Sequence, residues 1–97
     1  MSSIRVIVLD VLKPHKPILP DFANRLAEIP GIIGINISLI EIDQKTETIK
    51  LSIQGDSIDY ELLKEEIEKL GGTVHSIDKV VAGKRIIQEV ETPQDRS

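Results

Sequence analysis

The chain has 97 residues, which is the size of one small domain. Its 12 basic and 16 acidic residues give a net charge of −4, which argues against non-specific binding to nucleic acids and other polyanions. The absence of cysteine excludes a disulfide scaffold, a cysteine-ligated metal site and thiol catalysis.

The first predicted element is a strand over residues 4–12. These residues are mostly β-branched, and apolar side chains occupy both the odd and the even positions. This is typical of a central strand with both faces covered. Asp10 is the exception, and a carboxylate in such a strand needs a partner if it is buried. Residues 13–17 contain two prolines, which lack N–H donors, so we expect the strand to end at Leu12.

A helix and a second strand follow. Residues 18–29 carry apolar side chains at helical spacing, and a Pro-Gly pair provides a stop. Residues 32–43 alternate between apolar side chains and small or polar ones over most of their length. The alternation shifts near its end, which predicts that Ile40 and Ile42 lie on the face opposite to the earlier apolar set.

The second half of the chain repeats this order. Residues 44–46 indicate a hairpin turn, and residues 48–54 show the clearest alternation of period two in the chain. Asp59 is a candidate N-cap for a helix over residues 60–70, which ends at a Gly-Gly pair. Residues 73–82 form the fourth predicted strand.

The order β-α-β-β-α-β predicts an α+β sandwich of the ferredoxin-like type. Its four-stranded antiparallel sheet has the order 4-1-3-2, and both helices lie on one face. We expect residues 1–91 to form this single domain, with a last apolar segment at residues 86–90 and a flexible tail at residues 92–97. No stretch approaches the ~20 apolar residues of a membrane helix and no secretory signal is evident, so we expect a cytoplasmic protein without a membrane partner. The Ile-rich, Lys- and Glu-rich composition also suggests a thermophilic source.

Several common uses of this fold lack their residues here. An RNA-recognition module needs aromatic side chains on its two central strands, but the only aromatic residues, Phe22 and Tyr60, fall on predicted helices. A metal chaperone needs paired cysteines, and a phosphate-binding loop needs arginine or glycine, which residues 13–17 lack. The chain has no nucleophile–base motif and no glycine-rich phosphate loop. We therefore expect a non-enzymatic domain that does not bind nucleic acid.

Polar residues gather at one end of the predicted sheet. The ends of strands one and two and the start of strand four meet there. The polar residues grouped at this end are Asp10, Lys13, His15, Glu41, Asp43, Glu47 and His75. If Ile4 faces Val81, Asp10 falls opposite His75, although a shift of one residue changes this register.

Asp10 has two interpretations. In the structural one it accepts loop N–H groups or pairs with a lysine or with His75. In the functional one it belongs to a site for a divalent metal ion or a small anion, with Asp10, Asp43 and His75 as ligands and with Asp78 contributing across a subunit boundary. Oxygen ligands alone would favour calcium or magnesium.

The other polar residues have simple interpretations. We expect Asp78 to form an ion pair with a basic neighbour among Lys79, Lys84 and Arg85, and we expect His15 to be an exposed surface residue.

Three stretches of the chain resemble an archaeal family known as domain of unknown function 211. They are LDVLKPH at residues 9–15, GINI at residues 34–37 and VHSIDKVVAGKR at residues 74–85. The likeness runs from about residue 4 to residue 91. It implies a ferredoxin-like fold, an archaeal source and self-association, and it implies no activity.

Self-association also follows from the predicted faces of the sheet. The helices cover one face only, so the outward apolar residues of strand one, together with Ile86 and Ile87, need another copy to cover them. We expect at least a dimer that binds a small ligand or a divalent cation in a regulatory role. The alternatives are a metal-dependent enzyme that uses Asp10 and His75, and a purely structural assembly module.

Overall fold

A computed structural model describes residues 3–88 of the chain. Its elements are β1 (Ile4–Pro14), α1 (Leu19–Ala27), β2 (Ile32–Ile42), β3 (Thr46–Gly55), α2 (Tyr60–Lys69) and β4 (Thr73–Ala82). The strands form one antiparallel sheet in the order β2-β3-β1-β4. This confirms the predicted ferredoxin-like α+β sandwich. Val90 and the expected tail at residues 92–97 lie outside the described residues.

The hydrophobic core lies between the two helices and one face of the sheet. Alternate residues of the central strands point into it, so that Leu9 on β1 opposes Leu51 on β3. The buried apolar residues are Ile7, Leu9, Val11, Phe22, Leu26, Ile29, Ile49, Leu51, Ile53, Ile58, Leu63 and Ile67. Burial of one such side chain stabilises the folded protein by about 1.5–3 kcal/mol. This energy determines which of the two alternating sets of side chains on each central strand faces the helices. We call the other side of the sheet the open face.

Local sequence determines where α2 begins and ends. The Asp59 side chain accepts a hydrogen bond of 3.2 Å from the Leu62 N–H, which confirms the predicted N-cap. After the helix, Gly71 adopts a left-handed φ of +89°, a conformation that glycine accepts without strain. The end of α2 is thereby placed against the end of β1, where a Cβ on Gly71 would lie 3.1 Å from the Pro14 ring.

β1 runs to Pro14, two residues beyond its predicted end at Leu12. Pro14 pairs with Thr46 of β3, whereas the pairing with β4 ends at Leu12 and Thr73. One side of β1 therefore has no partner strand at Pro14, and the missing N–H costs no ladder hydrogen bond there. The extension directs the Lys13 side chain to the face that the helices cover.

The pairing of β4 with β1 differs from the predicted register. Ile4 pairs with Ala82 and Asp10 with Ser76, so the prediction that Asp10 lies opposite His75 is wrong by one residue. The register shifts leave His75 and Asp78 as extra residues on β4. Each bulge shifts the alternation by one residue, so Val74, Ile77 and Val80 oppose core residues of β1 at a spacing of three, and a pattern of period two does not locate the pairing.

A bulge also changes the end of β2. Leu39 opposes Ile49 and Ile42 opposes Glu47 on β3, with Ile40 as the extra residue. Ile49 and Glu47 are two residues apart on β3 and therefore point to the same face of the sheet. The bulge thus places Ile42 on the same face as Leu39. The prediction that Ile42 lies on the opposite face is therefore wrong.

The helices cover only part of each edge strand, although α1 packs against β2 and α2 packs against β4. The strands have 10 or 11 residues and span about 33–37 Å, whereas the helices have 9 and 10 residues and span about 15 Å. Exposed large apolar residues are Leu12, Ile18, Ile33, Leu39, Ile40, Ile42, Ile77, Val80, Ile86 and Ile87. On β1 the outward Val6 and Val8 are half-buried, so the exposed apolar surface lies mainly at the edges and not on the central strand. Neither helix is long enough to span a membrane.

Candidate functional site

One polar cluster lies on the open face, and we call it the open-face cluster. It consists of Asp10 on β1, Lys50 on β3, and Ser76 and Asp78 on β4. Lys50 Nζ lies 3.7 Å from Asp10 Oδ1 and 3.2 Å from Asp78 Oδ2. The Ser76 hydroxyl donates to Asp78 Oδ1 at 2.8 Å and lies 3.4 Å from Asp10 Oδ2. The two carboxylates thus converge on one ammonium group and one hydroxyl.

The register explains how this cluster forms. Asp10 pairs with Lys50 on one side and with Ser76 on the other, so three strands contribute to one point of the sheet. The bulge at Asp78 adds the second carboxylate. The Ser76 hydrogen bond and then Lys50 lower the pKa of Asp78, while the hydrogen bond to Asp78 and then the charge of Asp10 raise the pKa of Lys50. Asp78 and Lys50 are therefore both charged at neutral pH.

The structure brings together two of the four predicted metal ligands. Asp10 and Asp78 share the open-face cluster, and Asp78 pairs with Lys50 where a basic neighbour in sequence was expected. His75 is an exposed bulge residue, and Asp43 lies beyond the end of β2, at the turn. Within residues 3–88, no three His, Asp or Glu side chains are arranged to hold a metal ion. One copy of the chain therefore supplies at most a pair of carboxylates to a cation.

The second polar cluster surrounds the end of β1, and we call it the strand-end cluster. Its centre is Lys13, whose side chain is completely buried. The Lys13 ammonium donates to Glu47 Oε1 at 2.9 Å and to the Pro14 carbonyl oxygen at 2.8 Å, and it lies 5.8 Å from the centroid of the Phe22 ring. A buried charge needs such partners, and within residues 3–88 no buried side-chain polar atom lacks a hydrogen bond.

His15 completes the strand-end cluster. Its Nδ1 lies 3.0 Å from Glu47 Oε2, and its Nε2 lies 3.0 Å from the carbonyl oxygen of Gln44 in the β2–β3 turn. The hydrogen bond to Glu47 and then the Gln44 carbonyl raise the pKa of His15. The hydrogen bonds from His15 and then from Lys13 lower the pKa of Glu47.

The strand-end cluster was predictable from the sequence only in part. We expected Lys13, His15 and Glu47 at one end of the sheet, but not the contacts among them. We also expected His15 to be a surface residue, and although 41% of the side-chain surface is exposed, both ring nitrogens are engaged. The sequence did not predict the contacts of the ring with Glu47 and Gln44. The contact between Lys13 and Glu47 depends on the register of β1 against β3, which sets these two residues opposite each other.

An apolar groove lies on the open face between β2 and β3. It has a volume of about 350 Å³. Its lining residues are Val6, Ile33, Gly34, Ile35, Asn36, Ser52, Ile53 and Gln54. Gly34 leaves this part of the sheet unfilled, since a Cβ there would meet nothing within 4 Å. The groove combines apolar walls with amide and hydroxyl groups, which suits a small organic ligand.

The two clusters are better arranged to hold charge than to move protons. Both ring nitrogens of His15 are occupied, which leaves no free lone pair for general base catalysis. Lys13 is enclosed by its acceptors, and the two carboxylates of the open-face cluster are bound to Lys50.

The chain is similar to known archaeal sequences over nearly its whole length. A model of the family DUF211, described as uncharacterized ArCR, matches residues 5–96. "Uncharacterized protein MJ0319" of Methanocaldococcus jannaschii is 55% identical over 96 residues, which cover 99% of both chains.

Proposed function

Since the chain belongs to the archaeal family DUF211, as its sequence predicted, we propose that it is a non-enzymatic domain that assembles with copies of itself and binds a small ligand or a divalent cation in a regulatory role. We place this role in the cytoplasm, with other copies of the chain as partners and without a nucleic-acid or membrane partner. The observation that carries the proposal is the exposure of large apolar side chains at both edges of the sheet.

The β2 edge supports self-association. Leu39, Ile40 and Ile42 lie in the last four residues of β2 and are all exposed. Leu39 opposes the fully buried Ile49, so its side chain lies on the core face of the sheet, but it is exposed there. Soluble monomers rarely expose contiguous apolar patches of more than a few hundred Å². Packing against another copy covers this patch.

The β4 edge presents a comparable surface. Ile77 and Val80 oppose the buried Leu9 and Ile7 of β1, yet about half of each side chain is exposed. Beyond β4 the chain adds Ile87, which is 66% exposed. These residues extend the core of one copy outward, and a second copy provides the missing cover.

Sedimentation equilibrium at low micromolar concentration tests the assembly. We expect a mass of at least twice the 10.8 kDa of one chain. A single species of 10.8 kDa would contradict the proposal, because the exposed edges would then be stable in water without a partner.

The open-face cluster supports the second part of the proposal. Asp10 and Asp78 already converge on a cation, the Lys50 ammonium, so the position has the charge and the oxygen atoms that calcium or magnesium requires. A divalent ion would displace Lys50 and take its remaining ligands from another copy or from water. Calorimetric titration with CaCl₂ and MgCl₂ tests this, and we expect Asp10→Asn to abolish the binding heat.

The same titration separates the alternatives. An oligomer that takes up no calcium or magnesium and whose groove binds no small molecule is a structural assembly module. The metal-dependent enzyme needs Asp10 and His75 on one ion, so in that case His75→Ala must weaken cation binding as strongly as Asp10→Asn. We expect His75→Ala to leave the binding unchanged, because His75 is an exposed bulge residue outside the open-face cluster.

A further inference from the structure

The His15 ring lies between two groups that only accept hydrogen bonds. One is the backbone carbonyl oxygen of Gln44, which has no proton to donate. The other is the Glu47 carboxylate, which also accepts a hydrogen bond from the buried Lys13 ammonium and is therefore ionised. Both contacts are 3.0 Å long, and both can be hydrogen bonds only if each ring nitrogen carries a proton. The arrangement requires the imidazolium form of His15.

This ring joins two parts of the chain that are distant in sequence. His15 follows β1, and Gln44 lies in the turn between β2 and β3. The same turn is closed by the Asp43 N–H, which donates to the Thr46 carbonyl oxygen at 2.8 Å. Glu47, at the start of β3, is fixed from the other side by Lys13. The imidazolium therefore links the Glu47 carboxylate, which Lys13 holds in place, to the tip of the β2–β3 hairpin.

We propose that protonated His15 is a pH-sensitive clasp that holds the β2–β3 turn against the end of β1, and that loss of the ring proton releases the turn. A neutral imidazole has one N–H and one lone pair, so it cannot donate to both acceptors. The charge-assisted bond to Glu47 is the stronger of the two and keeps the remaining proton on Nδ1. The Nε2 lone pair then faces the lone pairs of the Gln44 carbonyl, and that contact breaks.

The charged groups around His15 determine when the clasp opens. Glu47 faces the ring from β3, Lys13 lies behind Glu47 on β1, and the turn contributes the backbone carbonyl oxygens of Asp43 and Gln44. Together these groups raise the pKa of His15 above its ordinary 6.5. Glu47 stays ionised over the pH range in which His15 titrates, so His15 is the group in the cluster whose charge changes there. The clasp is closed below pH 6.5 and opens as the pH rises through the raised pKa.

Nuclear magnetic resonance of the full-length wild-type protein tests the clasp with two readouts. The ¹⁵N shifts of the His15 ring report which nitrogens are protonated, and we expect both to be protonated at pH 6 and only Nδ1 at high pH. The protection factor of the Asp43 amide, corrected for intrinsic exchange, reports closure of the turn. We expect that protection factor to fall with the same midpoint as the ring titration.

Two variants serve as controls. In His15→Gln the side chain keeps a donor but does not titrate, so the Asp43 protection factor should not change between pH 6 and pH 9. Glu47→Gln should lower the His15 titration midpoint, because it removes the carboxylate that faces the ring. A wild-type ring with only one protonated nitrogen at pH 6 overturns the proposal, and so does Asp43 protection that ignores the ring titration. Both decisive results come from the wild type, so they stand even if Glu47→Gln does not fold.

Discussion

Lys13 Nζ lies 2.9 Å from Glu47 Oε1, and the Lys13 side chain is completely buried while Glu47 keeps 15% of its side-chain surface exposed. A buried ammonium group is tolerated in a folded protein only with acceptors around it. Glu47, the second residue of β3, therefore compensates the charge that the extension of β1 brings to the core side of the sheet. The first two predictions concern this pair and its neighbour His15.

Glu47→Leu should destabilise the protein by about 3 kcal/mol, because it leaves the Lys13 ammonium buried without a carboxylate. The double variant Lys13→Met with Glu47→Leu removes both charges and should be less destabilised than Glu47→Leu alone. Urea unfolding at one fixed protein concentration measures both effects. A double variant that loses at least as much stability as Glu47→Leu alone would contradict the pairing of Lys13 with Glu47.

The pH dependence of stability should show a plateau that this cluster creates. The pKa of Glu47 is lowered from 4.5, so its contribution is complete above pH 4.5 and is lost as the pH falls through the lowered value. The pKa of His15 is raised from 6.5, so its contribution is complete below pH 6.5 and is lost as the pH rises through the raised value.

The stability difference between wild type and His15→Gln should therefore be largest between pH 4.5 and pH 6.5. Thermal unfolding of both proteins across this range measures it, and the subtraction removes the titration of all other groups. A difference that is constant from pH 5 to pH 9 would show that His15 does not titrate as part of the cluster.

The edges of the sheet should respond to charge. Ile42→Glu on β2 and Ile87→Glu beyond β4 should each lower the native mass at a given concentration, because a carboxylate cannot be packed against another copy without loss of its hydration. Ile18→Glu is the matched control, since Ile18 is also exposed but lies before α1 and away from both edges. Equal effects of all three variants would argue against edge-specific association.

The N-cap of α2 offers a local test of the fold. Asp59→Ala should cost about 0.5–2 kcal/mol, because it removes the acceptor for the Leu62 N–H. Asp59→Asn keeps a side-chain oxygen at the same place and should cost much less. Urea unfolding of the two variants side by side compares them, and an equally destabilised Asp59→Asn would exclude capping as the cause.

Asp10→Asn should destabilise the protein less than Glu47→Leu. Lys50 keeps its contact with Asp78, and an asparagine oxygen still accepts from Ser76. The effect on calcium or magnesium binding should be the larger one, as measured by calorimetry. Asp56→Asn is a suitable control, because Asp56 pairs with Arg5 at an exposed position.

Patterns within one element were predictable from the sequence, whereas contacts between elements were only partly so. The alternation at residues 48–54 placed Lys50 on the open face correctly, because burial of one parity fixes the whole strand. The same reasoning identified Asp10 as a residue in need of a partner. It did not identify Lys50 as that partner, since this depends on the register between β1 and β3. Nor did it find His15 between Gln44 and Glu47, where the path of a loop decides the contact.

The bulges at His75 and Asp78 have a consequence for how the chain avoids aggregation. A regular edge strand offers evenly spaced N–H and C=O groups to any extended segment, and such edges seed fibres. Each bulge interrupts that spacing and increases the local twist of β4, so a foreign strand cannot pair along its whole length. β4 can thus expose Ile77 and Val80 for side-chain packing while it resists templated growth of the sheet, which keeps an ordered complex distinct from amyloid.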